Sequence, residues 1–211
     1  MAYSAGFSPH PKISYAGAAA TGVASEAEYV EIAVTARCDP ELVREALDES
    51  LPSGLDVLEV VEAGPGSLAD RLEASVFEVT LAGVDARTAS QAATAFLSAE
   101  AVPVDRMTKN GLRTFDARAA VVSLSVRDGA ADATPGEGGA SADSASGGGC
   151  AILRLVVRHT TPAVRPDDVL VALRRVADLA PPVPPSVTRL AQGPLDTETD
   201  DVADPLAPDR R

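Results

Sequence analysis

The sequence is poor in the residues that announce most chemistries. Tryptophan is absent, and phenylalanine and tyrosine together number seven in 211 residues. A core must therefore come from Val, Leu, Ala and Ile, and platforms for stacking nucleic-acid bases are scarce. Cys38 and Cys150 are the only cysteines. Two distant thiols form no disulfide framework and cannot supply the closely spaced thiolates that hold an iron–sulfur cluster. The two histidines, His10 and His159, have no metal-ligand spacing, so neither a metal nor another cofactor is expected. No Gly-rich phosphate loop of the P-loop type and no nucleophile elbow occur. No apolar run approaches the roughly 20 residues that span a bilayer. With no secretory leader in view, the expected compartment is the cytoplasm.

Charge is plentiful but lopsided. The formal net charge is −13, which argues against general nucleic-acid binding. Residues 1–100 carry 16 acidic and 5 basic side chains, whereas residues 101–127 and 151–193 together carry 5 acidic and 11 basic. An acidic first half is thus joined to a basic second half.

Hydrophobic period and punctuation then give the elements. After the stiff run Ser8-Pro9-His10-Pro11-Lys12, residues 13–18 read as a strand, 22–25 as a turn and 28–35 as a second strand with Val30, Ile32 and Val34 on its buried face. Asp39-Pro40 opens a helix with Leu42, Val43, Ala46 and Leu47 on one side. Pro52-Ser53-Gly54 stops it, and residues 55–63 read as a strand. A single helical turn is expected near Leu68 to Leu72. Next come a strand at 77–81 and a helix capped by Asp85 and running to Ala99. Two strands then flank the hairpin turn Lys109-Asn110-Gly111, and another spans 121–126. Residues 128–149 are Gly, Ala, Ser, Asp, Pro and Glu with almost nothing apolar, and read as a flexible insertion. A strand at 152–158, a helix opening at Pro166 and a last strand at 187–191 complete the pattern. The acidic tail 194–211 reads as disordered.

The order over 77–191 is β-α-β-β-α-β, that of a ferredoxin-like sandwich. The order over 13–63 is β-β-α-β, the same plan without its first strand and helix. The expected fold class is therefore α+β, with tandem ferredoxin-like sandwiches of which the first is incomplete. Its units are a truncated one at 1–64 with a hallmark loop, and a second built from 76–127 and 150–193.

Residues 2–16, Ala-Tyr-Ser-Ala-Gly-Phe-Ser-Pro-His-Pro-Lys-Ile-Ser-Tyr-Ala, followed by Gly22-Val-Ala-Ser-Glu-Ala-Glu-Tyr29, are distinctive. They resemble the hallmark segment of the bacterial radical-SAM-associated, or radical-SAM-linked, proteins, a family of unknown function whose pattern usually has Asn at the position of Ser8. The resemblance is dense over residues 2–35 and thinner to about 191. It implies a radical-SAM enzyme as a partner. It also implies a further strand and helix ahead of the hallmark, so a start site placed too far downstream, or a truncated gene, is expected.

Within the hallmark, the candidates are Gly6, Phe7, Pro9, His10, Pro11 and Lys12. His10 could exchange a proton near neutral pH and Lys12 could hold a phosphate. The competing and preferred reading is a rigid brace at the sheet edge. Arg113, Arg154 and Arg158 are candidate nucleic-acid contacts on an open face of the second sheet, against the preferred alternative of a solvated surface. Three functions follow: an accessory protein working beside a radical-SAM enzyme or in RNA processing, with RNA binding by the basic half as a narrower version; an enzyme using His10; and an adaptor whose acidic half docks on a basic partner. The first is preferred, with no catalytic residues assigned, because no second titratable group stands near His10.

Overall fold

Helix caps place three of the four helices among the described residues. The computed structural model describes residues 1–109, 111–129 and 149–210. In chain order its elements are β1 (Ile13–Ala16), β2 (Ala24–Ser25), β3 (Tyr29–Ile32), α1 (Pro40–Ser50), α2 (Leu68–Arg71), β4 (Ala74–Ala82), α3 (Ala86–Ser98), β5 (Pro103–Thr108), β6 (Gly111–Asp116), β7 (Val121–Asp128), β8 (Cys150–Arg158), α4 (Pro166–Ala177), β9 (Ser186–Gly193), β10 (Leu195–Asp196) and β11 (Asp201–Val202). Asp39 accepts from the Glu41 amide to start α1, and Asp85 accepts from the Thr88 amide and hydroxyl to start α3. Pro166 occupies the first position of α4, where its missing N–H costs nothing. The α+β class is established.

The chain forms two compact units. Met1–Ala18, Glu28–Leu72 and Asp204–Arg211 make the smaller; Ala19–Ala27 and Glu73–Ala203 make the larger. These bounds differ from a simple division near residue 64, because residues 19–27 leave the first unit and the end of the chain returns to it.

The larger unit is a five-stranded sheet of order β2-β9-β4-β8-β7, antiparallel except for the parallel β2–β9 pair. Along β8, Leu153, Leu155 and Val157 face α3 and α4, joining Val79, Leu81, Phe96, Val169 and Leu173 in the main core. On its other face, Val156 packs with Ala74 and Val76 under Leu195 and Val202 of the β10–β11 pair. The β5–β6 hairpin forms its own two-stranded sheet, with Thr108 opposite Gly111. Gly111 has φ +103, which the tight turn requires of it. Asn110 and most of the 128–149 insertion lie outside the described residues.

Asp168, near the start of α4, is buried and pairs with Arg106 of β5 at 2.6 Å while accepting from the Arg165 amide at 2.8 Å. Burial outweighs both partners and raises its carboxyl pKa above the ordinary aspartate value.

A buried polar chain fixes β2. Arg189 Nε donates to Ser25 Oγ at 3.2 Å and its Nη1 donates to Gln192 Oε1 at 3.4 Å. Gln192 Nε2 donates to the Ala27 carbonyl at 2.7 Å, and the Glu26 amide donates to the Arg189 carbonyl at 2.9 Å. Residues 24–25, expected within a turn, are therefore a strand, and the expectation is corrected.

Three further expectations change. Residues 55–63 pair with no strand; the Val57 amide donates instead to Asp48 Oδ1, and Leu58 is 82% exposed. The smaller unit accordingly holds β1, β3, α1 and α2, not β-β-α-β. On β3 it is Tyr29 that packs inward with Ala16, Leu68, Leu72 and Leu206, while Val30 is exposed. The acidic tail, expected to be disordered, forms β10, β11 and a 3-10 turn at Ala207–Asp209. Arg71 clamps its last part, from Asp204 on, in the smaller unit, donating to Asp209 at 2.6 and 3.2 Å and to the Pro205 carbonyl at 3.1 Å.

Replacing Gln192 with Leu removes the donor to Ala27 and the acceptor for Arg189 in a buried site. A loss of about 1–3 kcal/mol is expected in urea unfolding, against about 0.5 kcal/mol or less for Leu112→Ala on the exposed hairpin. Asp168 generates a pH test. A carboxyl whose pKa is raised on folding binds more protons folded than unfolded, so its contribution to stability falls as pH rises from the ordinary aspartate range through the raised value. Asp168→Asn lacks this term, so the stability of the wild type relative to the variant should decline across that window in a pH series of melts.

Candidate functional site

The hallmark residues do come together. Tyr3 and Pro11 form an antiparallel bridge. The Ser4 amide donates to the His10 carbonyl at 2.8 Å, and the His10 amide donates to Ser4 Oγ at 3.0 Å. The Lys12 amide donates to the Ala2 carbonyl at 2.9 Å, closing the base. Residues 4–10 are thus a hairpin loop with two backbone rungs and one side-chain rung. Gly6 sits at φ +143, a conformation that side chains disfavour, and Phe7 beside it stands fully in solvent. Pro9 and Pro11 stiffen the returning limb.

His10 enters these hydrogen bonds through its backbone, and its imidazole forms none of them. The hydrogen bonds of the loop thus use the backbone of residue 10 and not its imidazole. Lys12 is exposed at the base. Among the described residues, no group of three or more His, Cys, Asp or Glu side chains could hold a metal ion, and no helix is long and apolar enough to cross a membrane.

The three candidate arginines are dispersed within the larger unit. Arg154 lies on β8 and pairs with Asp201 of the tail at 2.6 Å. Arg158 is exposed at the end of the same strand. Arg113 is on the separate hairpin sheet, opposite Arg106. Arg106 in turn lies over the Phe115 ring at 4.8 Å, so the aromatic side chain nearest these arginines in the sequence already carries a cation on its face. Arg127 is paired with Glu78 at 2.9 Å. Ser75 Oγ and His159 Nε2, a pairing the sequence did not suggest, meet at 2.8 Å; Ser75 is buried in the sheet, and the contact satisfies its hydroxyl.

Sequence reading also missed an apolar surface in the smaller unit. Ile13 opposes Ile32, and Tyr15 opposes Val30, so the four share one face of the β1–β3 pair. Tyr15 is 70% exposed, and Ile13 and Val30 are exposed too. The face continues through Ile32 into a cavity of about 520 Å³ lined by Val34, Leu42, Val43, Ala46 and Leu47. None of the residues of α1 is buried. The helix is otherwise acidic, and Arg44, hydrogen-bonded to Glu41, holds that carboxyl below its usual pKa.

The chain belongs to a family described as uncharacterized protein conserved in bacteria (DUF2344), whose model matches residues 1–166. The match takes in the hallmark loop, the apolar surface and the larger unit up to the start of α4. No curated protein and no solved structure matches the chain.

The brace geometry separates two substitutions. His10→Ala keeps both backbone hydrogen bonds and should leave the melting midpoint unchanged, within about 0.5 kcal/mol. Ser4→Ala removes the side-chain rung, and amide exchange at His10 should accelerate while the β4–β8 amides keep their protection.

Proposed function

We propose that this chain is a non-catalytic accessory protein and that a partner protein binds its smaller unit. One observation carries the reading. Among the described residues, 15 large apolar side chains are exposed, and 11 of them belong to the smaller unit. Among them, Ile13, Tyr15 and Val30 share one face of the β1–β3 pair, and exposed apolar patches mark interaction surfaces. Phe7, presented at the tip of a braced loop, is the kind of aromatic anchor that dominates interface energetics. The same unit has a small core built around Ala16, Leu68 and Leu72, so binding would add burial that the unit lacks and raise its stability.

The non-catalytic part rests on the sequence, in which no recognisable catalytic motif accompanies His10. The resemblance of residues 2–35 to radical-SAM-associated proteins makes a radical-SAM enzyme the first partner to test, and such a partner implies a cytoplasmic setting. For the larger unit, the ferredoxin-like reading draws support from the strand order β9-β4-β8-β7 and from α3 and α4 packed on one face. That fold hosts many functions and selects none.

The test places a photocrosslinking benzoylphenylalanine at Phe7, Tyr15, Arg113, Arg158 or Val183 of the full chain in its own cells. Crosslinks to one protein from positions 7 and 15, with none from 183 in the larger unit, are expected. Crosslinks to RNA from positions 113 and 158, with none to protein from 7 or 15, would overturn the reading in favour of nucleic-acid binding.

A further inference from the structure

We propose that the cavity beside α1 is a groove for a basic amphipathic helix supplied by the partner. The inference rests on the partner-protein reading above and gives that partner its chemistry.

The first support is shape. Leu42, Val43, Ala46 and Leu47 form a single stripe along α1, and an amphipathic helix normally buries such a stripe. Here the stripe lines an open cavity together with Ile32 and Val34. The 11 residues of α1 give that wall a length of roughly 16 Å, enough for anchors at i, i+3, i+4 and i+7 of an opposing helix.

The second support is hydrogen bonding. The α1 wall is made of side chains on backbone already paired. Those of α1 are satisfied within the helix, and at the β3 end the Ala33 amide donates to Lys12 while its carbonyl accepts from Ala2. A strand laid along α1 would find few backbone partners. An occupant that satisfies its own backbone, a helix, does not need them.

The third support is charge. The smaller unit carries 13 acidic and 6 basic side chains, a net of −7. On α1 itself, Glu41, Glu45, Asp48 and Glu49 face one cation, Arg44, which is already paired with Glu41. Arg37, at the end of the groove, is paired with Glu62. Apolar walls in a unit of net negative charge, with Glu45 and Glu49 nearest the stripe among the acidic residues of α1, complement leucines and lysines on one helix. A second copy of this chain would bring the same negative charge to the contact and is disfavoured.

The probe is a fluorescent peptide of about 18 residues, five helical turns, with Leu at i, i+3, i+4 and i+7 and Lys elsewhere. Its control is a peptide of the same composition, permuted to destroy the stripe. Anisotropy titration of the full chain should show the permuted peptide binding about tenfold more weakly. Leu42→Ser should weaken the amphipathic peptide by a similar factor, and Val183→Ser should not. Leu42 is 65% exposed, so its replacement leaves the fold intact, which circular dichroism checks. Glu45→Lys with Glu49→Lys should weaken binding and flatten its salt dependence. Equal binding of the two peptides, or indifference to Leu42→Ser, overturns the inference. A dimer seen by light scattering and dispersed by Leu42→Ser makes the occupant a second copy and also overturns it. If crosslinks from Phe7 and Tyr15 to a partner survive Leu42→Ser, the helix inference fails while the accessory reading stands.

Discussion

A guanidinium buried in a sheet must be surrounded by acceptors, and the organisation of this chain follows from meeting that requirement at Arg189. Ser25 and Gln192 each supply an oxygen, and Gln192 passes the connection on to the Ala27 carbonyl. The demand is strict because an unpaired polar group in this setting costs far more than a good hydrogen bond contributes. Its consequence is topological. Residues 19–27, which by sequence position belong with β1 and β3, become an added edge of the larger unit's sheet. The hallmark segment is thereby divided between the two units.

The units differ in how they are held. The larger has helices on one face of its sheet and the β10–β11 pair on the other, so β8 is buried on both sides. The smaller relies on a few apolar residues and on polar clamps: Arg71 with Asp209, Arg210 with Glu59 and Asp204, Arg37 with Glu62. Ion pairs at partly exposed positions contribute little each. An element such as α1, with a continuous apolar stripe and no buried residue, is what remains when a two-layer arrangement has one layer only.

Local grammar was readable and long-range partnership was not. Asp39, Asp85 and Pro166 announce their helices because caps act within one turn, and the 109–111 turn announces its hairpin for the same reason. The alternation in β8 likewise foretells which residues face the helices. By contrast, the stripe of Leu42, Val43, Ala46 and Leu47 has the same period whether or not anything covers it. Residues 55–63 alternate but meet no partner strand. The tail looks disordered by composition, yet Leu195, Val202 and Leu206 find apolar contacts and Asp209 finds Arg71, 138 residues away. The hallmark segment was legible as a loop from its prolines. That Ser4 and the His10 backbone hydrogen-bond across it, leaving Phe7 exposed, needed coordinates.

The Arg71–Asp209 clamp has a consequence for biosynthesis. A ribosome delivers β1, β3 and α1 early, but Asp209 emerges only after the whole of the larger unit has been made. Folding in order of synthesis therefore completes the larger unit first and the smaller one last. Phe7, Tyr15, Val30 and Leu42, exposed in the finished fold as well, are thus open from early in synthesis, and any factor that recognises apolar segments on translating ribosomes has its longest access to the part of the protein made first.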